Sequence, residues 1–359
     1  MVVSRKLGAA AAAAALLMTV AGCSSTASQS PSASAKPSGT AAASATPEAT
    51  VAGWPTNIPT VSEGTHLKIA FFGFSKTNGF ANATFNGISA YAAKHNADVT
   101  FIDSNFDGQR QLQAIQDATT SGQYKVFIIQ ANDGNLIVPA VKDAIAKGIT
   151  VVGQFTPIGA RFDTAETQVP GMIYVGDVPT ENGAALAKMG LDACGTTKPC
   201  TVAYLQGFAN YPLDVTRTKA ASDALKAGGA TVIDSYVGGY TRADGQKTGQ
   251  TLLQAHPNVN VIIGSSQAIE GVATILPSGS NIKLIGNGAS QGGVTGVQNG
   301  SWFSIFYLSE TNLDGPLATA YGLAAARGAT VPASTDVEKI ATWYGTKASL
   351  QGIVGEYVD

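Results

Sequence analysis

Residues Leu67 to His95, LKIAFFGFSKTNGFANATFNGISAYAAKH, constrain the fold more than any other stretch of the chain. An apolar run, Ile69 to Phe74, passes through small and polar residues, Ser75 to Asn82, into a segment carrying Phe85, Ile88, Ala92 and Ala93. The run is long enough for one buried strand, and the three- and four-residue spacing after it belongs to a helix with one buried face. Strand, loop and helix in that order form the repeating unit of a parallel sheet. Ligands of such sheets sit where the strands end at their carboxyl edge. The loop after Phe74 is therefore the first candidate wall of a binding site.

The same alternation continues. Strands are predicted at Lys68–Gly73, Asp98–Asp103, Val126–Gln130, Thr150–Gln154 and Met172–Val175, with helices at 81–95, 108–121 and 136–147 between them. It then restarts. Helices at 181–193, 213–227, 245–255, 268–275 and 294–299 alternate with strands at Thr201–Gln206, Thr231–Tyr236, Val259–Gly264, Lys283–Gly286 and Phe303–Leu308. One more helix is predicted at 313–327, and the tail reads as strand over Lys339–Tyr344 and Ile353–Tyr357. The expected fold class is α/β: two similar, doubly wound parallel-sheet lobes. Two like lobes in tandem imply a cleft between them, a preferred place for a small ligand.

The first 64 residues follow other rules. Arg5 and Lys6 precede an alanine-rich apolar stretch, Leu7 to Val20, too short for a membrane span of roughly 20 residues. Residues 1–22 read as a secretory signal. Val20-Ala21-Gly22-Cys23 resembles the bacterial lipobox, which implies lipidation of Cys23 and attachment to the outer face of the cytoplasmic membrane. Residues 23–64, almost entirely Ser, Ala, Thr, Pro and Gly up to Pro59, have too little apolar surface to offset the entropy of ordering and read as a tether. Export leaves Cys194 and Cys200 in an oxidising compartment, where CGTTKPC can close as a disulfide loop; two free thiols are the alternative.

Several chemistries lack their residues. The net charge is −2 over 359 residues, with no basic stripe, so no nucleic-acid partner is expected. The three histidines, His66, His95 and His256, have no spaced partners, so no metal is expected. There is no GxxxxGK[ST] and no GxSxG, and Gly286-Asn287-Gly288 lacks the third glycine of a dinucleotide fingerprint. Neither a cofactor nor an enzymatic activity is expected.

From Leu67 to the C-terminus the chain resembles the ribose/galactose type (type I) of periplasmic substrate-binding protein, which serves ATP-driven sugar importers. The resemblance rests on strand–SKTNGF–helix, KGITVVGQF, Gly176-Asp177 before Glu181-Asn182-Gly183, the stretch starting at Arg217, Ala255-His256-Pro257-Asn258-Val259, and KLIGNGAS. It implies an N-terminal lobe of 65–176 plus 309–335 and a C-terminal lobe of 177–308 plus 336–359. Three crossovers, near Asp177, Leu308–Glu310 and Asp336, would form a hinge that closes on the ligand. It implies a monomer whose partners are a small molecule and the permease subunits of the importer.

Carried over residue by residue, the resemblance makes Asn78 a hydrogen-bonding loop residue, Phe80 an aromatic against the ligand face and Arg217 a donor fork for hydroxyls or a carboxylate. Ser75 and Asn132 complete that side of the expected site. Other positions depart. Phe155-Thr156 stand where sugar binders often have Asp-Arg, and Ser266-Gln267 where they have Asn-Asp. Gly288, with Asn287 beside it, replaces an aspartate, and Tyr307 takes a late glutamine position. Phe208 and Tyr211 add aromatics before Arg217. Carboxylates bind sugar hydroxyls strongly. Their loss opens an alternative to a sugar or polyol ligand: a small organic acid, an aromatic or a nucleoside-like compound. A sensor subunit docking to a membrane receptor is the alternative to import. Arg217→Ala is expected to lower affinity with little loss of stability.

Overall fold

The structure, a computed structural model, describes Val61 and residues 64–341 and 343–359. The signal, Cys23 and nearly all of the tether lie outside these residues.

Two six-stranded sheets organise the chain. The first contains β1 (Leu67–Gly73), β2 (Ala97–Asp103), β3 (Val126–Ile129), β4 (Thr150–Gln154), β5 (Ile173–Gly176) and β11 (Ser334–Asp336), in the order β11-β5-β4-β3-β1-β2. The second contains β6 (Thr201–Gln206), β7 (Thr231–Val237), β8 (Val261–Ser265), β9 (Lys283–Asn287), β10 (Ser304–Phe306) and β12 (Tyr344–Gly345), in the order β12-β10-β9-β8-β6-β7. All pairs are parallel except β10–β12. The chain therefore passes between sheets three times: after β5, after β10 and after β11. The expected class, two parallel-sheet α/β lobes, is the observed one.

Local chemistry explains where the helices begin. Asn78 caps α1 (Gly79–Lys94), its Oδ1 accepting from Ala81 N at 2.9 Å. Asp107 caps α2 (Gly108–Ser121), and α3 (Val138–Ala146) opens with proline in its first turn. So do α4 (Pro179–Cys194) and α5 (Pro212–Ala227). Thr241 caps α6 (Arg242–Ala255), Ser265 caps α7 (Ser266–Ala273) and Ser290 caps α8 (Gln291–Asn299). Each such side chain satisfies an N–H that the first helical turn leaves unpaired. A π-turn, Glu310–Asp314, precedes α9 (Gly315–Ala326). Helix α9 returns to the first sheet and is buried on nearly every face, which matches its uniformly apolar sequence. Cys194 and Cys200 form a disulfide that closes the turn from α4 to β6.

The tail departs from expectation. Among the described residues of Lys339–Tyr344, only Tyr344 is in a strand, and Val337–Lys339 form a 3₁₀ turn. This segment is the third crossing between sheets, so it cannot follow either one. Ile353–Tyr357 contributes a single bridge, Tyr357 to Ser290. The sheet edge beside β10 is already taken by β12, and Val354 is left 75% exposed.

Candidate functional site

The carboxyl ends of both sheets face one cleft. The first sheet contributes Phe74 after β1, Asn78 and Phe80 around the start of α1, Phe106 after β2 and Phe155 after β4. The second contributes Tyr211, Leu213 and Arg217 after β6, Tyr240 after β7, Gln267 at the start of α7 and Asn287 at the end of β9. Leu308, on the second crossing, and Tyr357, in the tail, complete the lining. The atom-free space between them is about 480 Å³, part of it open to solvent.

The two walls touch. The Tyr211 hydroxyl donates to the Phe106 carbonyl, and the Phe106 ring lies edge-on to Phe208 at 5.1 Å and stacks with Tyr240 at 6.2 Å. Phe80 meets Tyr357 at 6.2 Å and Phe155 at 4.8 Å. The Arg217 guanidinium lies 5.7 Å from the Phe155 ring centre, a cation–π contact. Phe106 and Phe155 hold φ of 56° and 63°, a left-handed backbone that bulky residues rarely adopt. Strain of this kind collects at ligand sites, where the surroundings impose it.

Arg217 is fixed by packing. Gly183 in α4 presses on the backbone of Arg217; a Cβ at Gly183 would run into the Arg217 carbonyl and lie 3.0 Å from Ala220 Cβ. The side chain is 6% exposed, and Nη1 is 3.9 Å from Asp214 Oδ1. Asp214 is itself held by the Phe208 N–H at 2.7 Å and by the Tyr240 hydroxyl. Burial raises the Asp214 carboxyl, with Arg217 pulling it back. Burial likewise carries Asp177 up to about 6, again opposed by Arg217. Burial alone would lower Arg217, but Tyr240, Asp177, Tyr204 and Asp214 together hold it above its ordinary value. Arg217 Nε and Nη2, and both Asp177 oxygens, have no hydrogen-bond partner among the described residues.

Of the expected contacts, Asn78, Phe80, Phe155, Tyr211, Arg217, Gln267 and Asn287 line the cleft together. Five others stand apart. Ser75 Oγ pairs with Thr77 within the loop, and Thr156 is buried outside the lining with its hydroxyl unpartnered. Asn132 accepts from the Tyr211 hydroxyl at 3.4 Å, and Ser266 Oγ holds the Tyr357 hydroxyl at 2.9 Å, so both sit behind lining tyrosines. Tyr307 points elsewhere, to Glu356 at 3.3 Å, and borders a separate cavity at the crossings. Tyr307 lies just past the end of β10, where its backbone N–H is held by the Trp343 carbonyl at 2.7 Å, and with Phe306 it borders that cavity and not the cleft.

Phe74, Phe106, Leu213, Tyr240, Leu308 and Tyr357 were not expected. Applying the carboxyl-edge rule to β2 and β7 as well as β1 would have found Phe106 and Tyr240. No sequence signal marks Tyr357, which arrives from the tail. It explains the missing aspartate: Gly288 has φ 126°, and a Cβ there would lie 2.8 Å from Ser266 Oγ and collide with Tyr357 Oη. The tyrosine occupies the space a side chain at 288 would need.

Comparison with known proteins decides the family. The family model described as periplasmic binding protein domain matches residues 69–329. The chain belongs to this family. No curated protein matches this family member. Among solved structures it is similar to an ABC transporter solute-binding protein from Mycobacterium smegmatis with bound glycerol. That pair is 22% identical with a TM-score of 0.70, covering 82% of this chain and 99% of that one. It is also similar to the Caulobacter myo-inositol binding protein bound to myo-inositol, at 17% identity and TM-score 0.68, covering 80% and 96%. A third, a periplasmic solute-binding protein from Actinobacillus succinogenes with bound D-allose, shares 16% identity at TM-score 0.68, covering 80% and 99%. Likeness at these identities shows a shared two-lobed binding-protein fold.

Proposed function

We propose that the chain is a solute-binding protein that takes one small ligand between its lobes and delivers it to an ATP-driven membrane importer. The observation that carries this reading is the cleft: the carboxyl edges of two parallel sheets meet there, next to three chain crossings. The lobes would be 65–176 plus 309–335 and 177–308 plus 336–359, hinged near Asp177, Leu308–Glu310 and Asp336. Hinge closure would bury the ligand and create the surface read by the permease. Cys23 would carry a lipid that holds the exported protein at the outer face of the cytoplasmic membrane.

The similar structures hold glycerol, D-allose and myo-inositol, which supports a sugar or polyol ligand. A second reading, a less hydroxylated ligand, is favoured by one observation: among the described residues no Asp or Glu lines the cleft itself, Asp214 lying in the cavity behind Arg217, whereas seven Phe and Tyr residues do. A thermal-shift screen against sugars, polyols, organic acids and nucleosides tests the function. A ligand at 100 times its Kd adds about 2.7 kcal/mol to folded-state stability by mass action. A panel that leaves the melting temperature unmoved throughout would refute solute capture. Mass spectrometry of membrane-extracted protein tests the anchor: a peptide beginning at unmodified Cys23, or before it, would refute lipidation.

A further inference from the structure

The cleft has two unlike ends. The strands that feed the chain crossings, β5, β10 and β11, lie at or next to one edge of each sheet, and β2 and β7 form the opposite edges. β2 stands four strands from β5, and β7 four from β10, which is roughly 19 Å at the usual strand spacing. One end of the cleft is therefore beside the crossings and the other remote from them. Rotation about the crossings displaces the remote end furthest.

At that remote end the two walls hold each other. The loop after β2 sends Phe106 against aromatics of the other sheet: Phe208 at 5.1 Å, Tyr240 at 6.2 Å, and Tyr211, whose hydroxyl donates to the Phe106 carbonyl. Those three form a group of their own, Phe208 lying 5.0 Å from Tyr211 and 5.2 Å from Tyr240. All four residues are half-buried, as the rim of a cleft requires. The Phe106 loop is built to hold its ring out. Asn105 and Phe106, with φ of 49° and 56°, are two left-handed residues in succession. Asp103 Oδ1 pins the turn by accepting from Lys76 N at 3.1 Å and Asn105 N at 2.9 Å. Phe106 N donates to the Phe74 carbonyl at 2.7 Å, and the Phe74 ring backs the Phe106 ring at 6.1 Å. Strain imposed in this way collects at clamps and switch regions.

We propose, resting on the solute-binding reading, that Phe106 is the gate of the cleft: its ring closes the remote end against Phe208, Tyr211 and Tyr240, and a ligand enters or leaves when that contact parts. The contact is made between protein atoms alone, so it stabilises the closed arrangement equally with and without a ligand behind it. The gate therefore slows entry and exit alike and leaves affinity nearly unchanged. A residue that grips the ligand behaves otherwise, because its loss speeds exit alone.

Surface plasmon resonance on the intact chain tests the gate, with D-allose, myo-inositol, 4-hydroxybenzoate and adenosine as probes. Phe106→Gly removes the ring and suits the left-handed backbone, so the fold is kept. For each probe that binds, it should raise both rate constants about fivefold or more while Kd moves less than about threefold. Phe106→Tyr keeps a ring and should stay within about twofold of the parent. Tyr211→Phe leaves the loop untouched and removes the hydrogen bond from the opposite wall; both rates should rise about twofold. Melting temperatures are measured alongside, and if Phe106→Gly loses its fold, Tyr211→Phe decides the question. A rise in the dissociation rate alone would overturn the proposal by making these residues ligand contacts. Unchanged rates would overturn it by placing entry elsewhere. Both results leave solute capture standing. If no probe binds the intact chain, the gate falls together with the solute-binding reading.

Discussion

The cleft and the crossings beside it are both buried and both hold unpaired polar atoms, yet of opposite kinds. In the cleft the orphans are mainly donors, Arg217 and Gln267, set among aromatic rings. At the crossings they are acceptors. Asp177, Glu310, Asp314 and Glu338 all have carboxyl oxygens without a donor among the described residues, whereas Asp336 Oδ2 is met by Lys339 Nζ at 2.7 Å. Glu310 Oε2 takes hydrogen bonds from Thr84 at 2.6 Å and Gln154 at 3.0 Å, while its Oε1 has none. Burial, then the neighbouring Glu310, pushes the Asp314 carboxyl well above the usual range. Burial likewise carries Glu310 up to about 8, and one proton held between the two would satisfy both. The difference lies in what burial leaves unmatched: guanidinium and amide N–H groups at the cleft, carboxyl oxygens at the crossings.

The largest test of this contrast is Arg217→Ala. Removing the cation leaves Asp214 and Asp177 buried without compensation, so the expectation of an unaffected fold gives way to a loss of about 3–5 kcal/mol. Chemical denaturation reads it, and an unchanged midpoint would show that the two carboxylates do not depend on Arg217.

The crossings predict a pH dependence. A carboxyl whose folded pKa is raised makes the folded state bind more protons than the unfolded one, so stability falls as pH rises. For Glu310 the fall runs from its ordinary value of 4.5 to about 8. Glu338, raised to about 9 first by burial and then by Asp177, acts in the same direction. The expected loss attributable to the Glu310–Asp314 pair is about 2–4 kcal/mol. Glu310→Gln should flatten the slope between pH 5 and 8; a variant as pH-sensitive as the parent would remove the pair from the account.

Phe155 sharpens the cleft side. Phe155→Ala loses contacts with Phe80, Phe74 and Arg217 and should weaken ligand binding about tenfold. Because φ is 63° there, Phe155→Gly should be more stable than Phe155→Ala by about 1 kcal/mol. Equal stability of the two would mean that the backbone is not strained at this position. The smallest effect belongs to Tyr307→Phe, which loses a 3.3 Å bond to Glu356 and should change stability by about 0.5 kcal/mol or less. Ligand affinity measured by calorimetry should not move; a clear drop would bring Tyr307 back to the site.

Much of the fold was legible because its signals are local. Buried parallel strands read as apolar runs, and Asn78, Asp107 and Pro212 mark helix starts through hydrogen bonds or backbone geometry inside a few residues. The cleft lining was legible where a residue ends a strand or lies in the loop just after it, as Asn78, Phe155 and Asn287 do. It failed where placement depends on partners far away. Tyr307 was assigned by its position late in the chain, but the Trp343 carbonyl on its backbone and the reach of Glu356 from the tail turned it aside. Tyr357 was invisible because the tail is held by Ser290 and Ser266, both remote in sequence.

The sequence by itself determined two α/β lobes, because the apolar periodicity that makes strands and helices is written within each segment. It also determined that Gly288 carries no aspartate and that aromatics crowd around Arg217. Only the tertiary structure decided what those facts mean. Folding puts Tyr357 into the space over Gly288, sets Asp214 and Asp177 against Arg217, and leaves Arg217 and Gln267 with donors unanswered. Charge balance and hydrogen-bond supply are sums over neighbours in space, and neighbours in space are settled by packing.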